Sequence, residues 1–334
     1  MVRQFIVRGY IVDVVDDRLG ACVPDITRYD VIVDEWTNLP RWIEANPAAL
    51  TLFYATGAHW LTWNQAELQR LSWLRDRTNC EIAPVRLTPA LLGSHHANLI
   101  TSFGNEAINA TFGKDTAKIH KLWISAVRTH EPLRNKSWER AKRRFLWFGG
   151  PGWVHKGLDL AIEAFLQMED LELVICGFGP HHDVRNDLDI RECYGDRLDS
   201  APNIVLRGYL DPLGEEFAEL ANSCVGLVYP TGCEGCSGAA VQCLHMGLLP
   251  ITTALCGLDA GAEPIIVDGS SDRDLIESII ASCNKMSEWP NNVLEQRRVQ
   301  AWEFANANHT RSGYRRSWST AVDSLLGVTS RTHP

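Results

Sequence analysis

No apolar run in this chain approaches the roughly 20 residues that a membrane-spanning helix needs. The N-terminus, "MVRQFIVRGYIVDVVDD", lacks the basic, apolar and cleavage-site layout of a secretory signal. Both absences point to a cytoplasmic protein. Excess positive charge is missing as well: 32 Lys and Arg face 41 Asp and Glu, for a net charge of −9. A polyphosphate backbone needs a dense basic surface, so nucleic acid is excluded as the main partner. There is no internal repeat and no low-complexity tract. No second cysteine pair accompanies Cys233-x-x-Cys236, and adding Cys243 and His245 matches no standard zinc spacing. A zinc or redox site there is the lesser alternative; no metal or other cofactor is expected.

What is present is ordinary for a globular chain. The 334 residues are 45% hydrophobic and 22% charged, enough for two domains with packed cores. The ten cysteines are scattered, several within apolar runs such as "LELVICGFG". In a reducing compartment they read as small buried hydrophobes. Most of the twelve tryptophans should be core, but those in "EWTNLPRW" and "HWLTW" have polar surroundings.

Short β-branched runs alternate with helix-period segments. The expected strands are "YIVDVVD", "DVIVDE", "LTLFYAT", "EIAPVRL", "NLITSFG" and "IHKLWIS", then "FLWFGG", "LELVICG", "NIVLRGYL", "VGLVYPT", "LPITTA" and "PIIVDG". Between them lie "NQAELQRLSWLRDR", "GLDLAIEAFLQM", "GEEFAELANSC" and "SDRDLIESIIASC", with two further helices over 290–327. Such alternation predicts an α/β protein with parallel sheets covered by helices on both faces. Twelve strands exceed one ordinary sheet, so two doubly wound domains are expected. The boundary falls in the polar, basic stretch 128–145, which reads either as a solvated linker or as a patch able to touch an anionic membrane surface. The start is unusual, because residues 1–9 resemble the end of a helix running into Gly9. Either the first strand of the N-terminal domain is missing, or "QFIV" is a displaced strand.

The chemistry concentrates in the second half. "FLWFGGPGWVHKGLDLAIEAF" ends a strand at Gly149-Gly150 and opens a helix at Lys156-Gly157. Glycines at a strand end admit a ligand close to the backbone, and a lysine at a helix start adds charge where the dipole already favours an anion. That combination suits a diphosphate. "CGFGP" places Gly177 and Gly179 at the next strand end, and "LRGYL" places Gly208 and Tyr209 at another. In "PTGCEGCSGAAVQCLHMGLLPITT", Glu234 and Gly235 follow a strand, and Ser237, Gly238 and Ala239 start a helix with free amides. An ionised glutamate only accepts hydrogen bonds, so Glu234 suits sugar hydroxyls rather than phosphate.

With these motifs, residues 145–270 resemble the donor domain of a GT-B glycosyltransferase, closest to the retaining family four. The resemblance implies two Rossmann-like domains facing across a cleft. The domains would span 1–135 on the acceptor side and 136–309 on the donor side, with 310–334 as a C-terminal helix and tail that could cross back. It implies that Lys156 binds the donor diphosphate, Glu234 the donor sugar, and Ser237 and Gly238 a phosphate. The implied activity is sugar transfer from a nucleotide-diphosphate sugar to a saccharide or other hydroxyl acceptor, with retention. Pro151 stands where an arginine often follows the loop glycine, and Gln242 where a second glutamate commonly grips the ribose. These departures keep open a non-catalytic nucleotide-sugar-binding protein.

The first half matches less closely. His59, after "LTLFYAT", is the candidate for a histidine reaching the donor sugar, with Thr56 and Gly57 beside it. Gly104 and Asn105 end another strand, and Glu35 a third; all are acceptor-side candidates.

Overall fold

The computed structural model describes residues 1–16, 28–127, 129, 135–177 and 184–327. The N-terminal half runs α1 (Val2–Ile6), β1 (Val31–Asp34), α2 (Leu39–Ala45), β2 (Leu50–Ala55), α3 (Trp60–Thr78), α4 (Gly93–His96), β3 (Leu99–Ser102), α5 (Glu106–Ala110) and β4 (Ile119–Lys121). The C-terminal half runs α6 (Trp138–Ala141), β5 (Arg144–Phe148), α7 (Leu158–Phe165), β6 (Glu172–Cys176), α8 (Val184–Asp199), β7 (Ile204–Gly208), α9 (Glu215–Asn222), β8 (Gly226–Tyr229), α10 (Gly238–His245), β9 (Leu249–Thr252) and β10 (Ile265–Ile266). Three helices follow: α11 (Asp272–Glu288), α12 (Asn291–Asn308) and α13 (Arg311–Leu325).

Two parallel sheets result, as the strand–helix alternation requires. The first has the order β1-β2-β3-β4 and the second β10-β9-β8-β5-β6-β7. In the second, β5 lies centrally: the chain winds outward through β6 and β7, then returns to β8 on β5's other side and winds out through β9 and β10. That reversal is the topological switch point of a doubly wound sheet, and the crevice at its carboxyl edge is where such sheets take ligands. The strands β3, β8 and β9 are buried at every residue, as sheets covered on both faces demand.

The two halves share one continuous core. It runs from Leu52, Leu74 and Leu99 through Trp147 and Leu173 to Trp318. Helix α13 returns to the first half: its fully buried Trp318 packs on Tyr54, with ring centroids 5.2 Å apart, and Asp323 pairs with Arg8 at 2.7 Å. Helix α3 reaches the other way. Arg77, near its end, binds Asp159 of α7 and Asp272 of α11, each at 2.6 Å, and Arg70 donates to Pro230 O at 2.9 Å. Helix α7 is buried along its whole length, Asp159 and Glu163 included, so these carboxylates rely on Arg77 and on Arg197.

Several expectations are corrected. "YIVDVVD" is not a strand: Tyr10–Asp16 pairs with no sheet, because β-branched composition without a partner edge supplies no ladder. "QFIV" is no displaced strand either, since it lies in α1 and the turn after it. "EIAPVRL" is irregular; Pro84 removes an amide, and Val85 and Arg86 give theirs to the Glu67 carboxylate of α3. The basic stretch is not simply a solvated linker. Lys136 donates to Cys224 O at 2.5 Å, and Trp138 is buried within the second half; residues 128 and 130–134 lie outside the described residues. Finally, the cysteines are not all lone hydrophobes, because Cys80 after α3 and Cys193 in α8 form a disulfide between the halves.

Candidate functional site

The two loops that leave the switch point carry Lys156 and Glu234. Lys156 follows β5 and Glu234 follows β8, the neighbouring strands between which the sheet reverses. The glycine after Lys156 makes their meeting possible. Gly157 adopts φ +72°, and a Cβ there would lie 2.2 Å from Pro230 O. Only glycine lets the chain leaving β8 lie against the start of α7. His155 fixes the same junction from inside. Its Nε2 faces Cys233 O at 2.6 Å and its Nδ1 faces Glu67 Oε2 of α3 at 3.0 Å, so it ties both loops to the N-terminal half.

Lys156 Nζ donates to Glu234 Oε1 at 2.8 Å and to the Tyr229 hydroxyl at 2.9 Å. Tyr229 in turn donates to Glu234 Oε1 at 3.1 Å. Arg86, from the N-terminal half, stands 3.6 Å from Glu234 Oε2. Burial pushes the Glu234 carboxyl up, but Lys156 and Arg86 outweigh it and hold the group below the usual glutamate range. Burial and the same carboxylate push the Tyr229 hydroxyl well above its ordinary value, so it stays protonated.

Helix α10 starts just beyond Glu234. Ser237 caps it, its Oγ accepting from Ala240 N at 3.3 Å. Gly238 is exposed and Ala239 half-buried, so the first turn opens to solvent with amides that no helix carbonyl can satisfy. Along the same edge, Gly149 N donates to Cys176 O at 3.2 Å and Gly177 N to Gly208 O at 3.1 Å. Gly149, Gly177 and Gly208 thus lie side by side at the ends of β5, β6 and β7. Gly150 is half-buried and Tyr209 is exposed at its strand end. Gln242 is buried one turn into α10, on the face of Gly238 by helical spacing. Gly179 lies outside the described residues.

The edge can therefore offer an ammonium, a guanidinium, free helix amides and glycine backbone to an anion, with one carboxylate for hydroxyl groups. A diphosphate joined to a polyol fits that set.

Comparison with known proteins bears directly on this arrangement. The family model described as Glycosyl transferases group 1 matches residues 142–285, which contain both loops. Among solved structures, S. aureus TarM with fondaparinux, α-GlcNAc-glycerol and UDP is 12% identical, with a TM-score of 0.51 over 82% of this chain and 51% of TarM. The pneumococcal O-GlcNAc transferase GtfA, with UDP and GlcNAc, is 14% identical, with a TM-score of 0.54 over 89% of this chain and 57% of GtfA. Anabaena Alr3699/HepE, with UDP and glucose, is 12% identical, with a TM-score of 0.56 over 89% of this chain and 78% of that one. The fold is GT-B. This chain spans about half the length of TarM and 57% of GtfA. No curated protein matches the sequence.

On the opposite side of the GT-B cleft, the structure brings some candidates to the carboxyl edge of the second sheet and not others. Thr56 and Gly57 touch it: a Cβ at Gly235 would lie 2.3 Å from Thr56 O. His59 instead caps α3 and is buried, with ring neighbours Trp60, His95 and Phe112. It shares a small cavity with Glu35, Thr56 and Gly57, and burial lowers its pKa, which favours the neutral ring. Asn105 is committed to holding the halves together, its Nδ2 donating to Ala254 O at 3.0 Å and Leu258 O at 2.9 Å. Gly104 offers its carbonyl to Lys121 Nζ at 2.7 Å. Glu35 also lines a cavity of about 780 Å³ on the N-terminal half, with Phe5, Tyr10, Tyr29, Trp36 and Tyr54.

Cys233 faces Glu234 O and His245 faces His309 O, and no group of three His, Cys, Asp or Glu among the described residues is placed to hold an ion. Burial pushes the Cys233 thiol up to about 12. Tyr229, His155, Glu67 and Arg86 escaped the sequence reading. Tyr229 and His155 had the signal of standing beside the two turns; Arg86 and Glu67 had none.

Proposed function

We propose that this chain transfers a sugar from a nucleotide-diphosphate sugar to a saccharide or other hydroxyl acceptor, with retention of configuration. One observation carries the reading: Lys156 and Glu234 meet at the switch point of the second sheet, beside the open first turn of α10. In this reading, residues 136–309 bind the donor and 1–135 face the acceptor. The return of α13 to α1, β2 and β4 supports a C-terminal helix that crosses back to the first half.

Without donor, Lys156 and Glu234 neutralise each other. A bound diphosphate takes over Lys156, and the sugar hydroxyls take over Glu234. Lys156 and the amides at Gly238 and Ala239 then stabilise the negative charge that grows on the departing diphosphate, and fixed dipoles at a partly buried edge do this without reorganising. Positioning supplies the rest. The reading asks for no metal at the diphosphate, because protein cations occupy that role.

The test is sugar transfer and donor hydrolysis with UDP- and GDP-sugars, for the wild type and Lys156→Ala. The variant should lose at least about tenfold in turnover, or about 1.4 kcal/mol of transition-state stabilisation. An unchanged rate would remove Lys156 from the mechanism. A second reading, a nucleotide-sugar binder without turnover, draws on Gln242, a buried amide where the resemblance expects a carboxylate. Wild-type binding with neither transfer nor hydrolysis would decide for it.

A further inference from the structure

We infer that Arg86, contributed by the N-terminal half, binds the donor diphosphate together with Lys156. This deepens the proposed function and rests on that reading of the donor edge.

The charge balance is the first ground. Arg86 and Lys156 both face Glu234, so two cations share one carboxylate. The neighbouring Glu67 does not redress this, since its carboxylate is taken by His155 and by the amides of Val85 and Arg86. The surplus positive charge lies next to the first turn of α10, whose solvent-facing amides at Gly238 and Ala239 favour an anion in the same direction. At 3.6 Å, Arg86 is not in close hydrogen-bonded contact with Glu234. Its Nε is buried with no hydrogen-bond partner. A guanidinium so placed has donor capacity to spare, and its planar fork matches phosphate oxygens.

The second ground is construction. Residues 85–88 form no strand, yet α3 holds them with side chains. Glu67 Oε1 accepts from Val85 N at 2.9 Å and Arg86 N at 3.1 Å. Asn64 bonds Thr88 N at 2.9 Å and Thr88 O at 2.8 Å, and the Trp63 indole donates to Arg86 O. The Trp63 ring also lies under the guanidinium, 4.7 Å from its carbon. The arginine stem runs across Gly152, where a Cβ would meet Arg86 Cγ at 2.7 Å. Gly152 belongs to the β5–α7 loop, which has Pro151 and no arginine of its own. The second phosphate cation therefore comes from across the cleft.

The test is calorimetric titration of the full-length protein with UDP, GDP and inorganic pyrophosphate. Wild type, Arg86→Ala, Arg86→Gln and Lys156→Ala are compared, with circular dichroism and melting temperature as folding controls. Arg86→Gln keeps most of the stem on Gly152 and Trp63, so it remains informative if the alanine variant fails to fold. We expect the dissociation constant of the nucleotide that binds the wild type to rise at least tenfold in either Arg86 variant. The slope of log affinity against log salt should become shallower as well, which a purely structural role would not produce. Unchanged affinity in a folded Arg86 variant, with affinity lost in Lys156→Ala, overturns the inference and leaves the donor site standing. Failure of all three probes to bind the wild type overturns both.

Discussion

Arg77→Ala should weaken the joint between the two halves severely. The guanidinium lies 2.6 Å from Asp159 and 2.6 Å from Asp272. The Asp159 side chain is 1% exposed, whereas Asp272 is 24% exposed. Truncation lets water reach Asp272, a loss of about 1 kcal/mol or less. Asp159 is left as a buried charge without its partner, which costs about 3–5 kcal/mol. Arg70 stands close enough to offset a little of this electrostatically. The expected total is about 4 kcal/mol, which corresponds to a fall of roughly 6 °C in melting temperature for a chain of this size. Urea unfolding followed by tryptophan fluorescence measures it, and the continuous core makes a single transition the expectation. A paired variant, Arg77→Met with Asp159→Leu, removes the orphan charge and should recover more than half of the loss. A loss below about 1 kcal/mol in Arg77→Ala would refute the reasoning, because it would place Asp159 effectively in water. So would a paired variant as unstable as the two single changes added together.

Two further outcomes follow from the structure. Burial pushes His309 down to about 4, from an ordinary 6.5, while its Nδ1 donates to Ile124 O at 3.0 Å. Between those values the unfolded chain binds the proton and the folded one does not. Stability should therefore fall by about 3 kcal/mol as pH drops from 6.5 to 4, then level off for this group. Urea midpoints across that range should show the slope, and His309→Asn should flatten it; an identical slope in the variant would mean that other groups carry it. The Cys80–Cys193 disulfide closes a separation of 113 residues, so its loss in Cys80→Ala should cost up to about 4–5 kcal/mol under oxidising conditions. Dithiothreitol should destabilise the wild type and leave the variant unchanged; equal urea midpoints for the two oxidised proteins would contradict this.

The meeting of Lys156 and Glu234 at the carboxyl edge of the second sheet was legible in the sequence because both turns are local. Lys156-Gly157 and Glu234-Gly235 each combine a strand end, a tight turn and a helix start within a few residues, and each turn needs glycine for a contact with backbone. The parallel sheets were legible for a similar reason, since ten of the twelve expected strands are Val-, Ile- or Leu-rich runs that find a neighbour. The other two show the limit. "YIVDVVD" and "EIAPVRL" have strand composition, but a strand is a property of a pair, and neither pairs into a sheet. The second is instead strapped to α3 through Asn64 and Glu67, about twenty residues earlier, and this is what delivers Arg86 to the cleft. Still longer separations, 82 and 113 residues, hide Arg77 on Asp159 and Cys80 on Cys193. His59 had the right local setting, after a strand end, but its side chain turns back to cap α3. Which way a side chain turns depends on neighbours such as His95 and Phe112, far along the chain.

The most direct measurement is a crystal structure of the full chain grown with the nucleoside diphosphate that binds it. The account predicts the two phosphates at the switch point, within about 3 Å of Lys156 Nζ and of the Gly238 and Ala239 amides, with the Lys156–Glu234 bond broken and Glu234 turned toward the position of the sugar. A nucleotide bound elsewhere, with Lys156 still paired to Glu234, would contradict it.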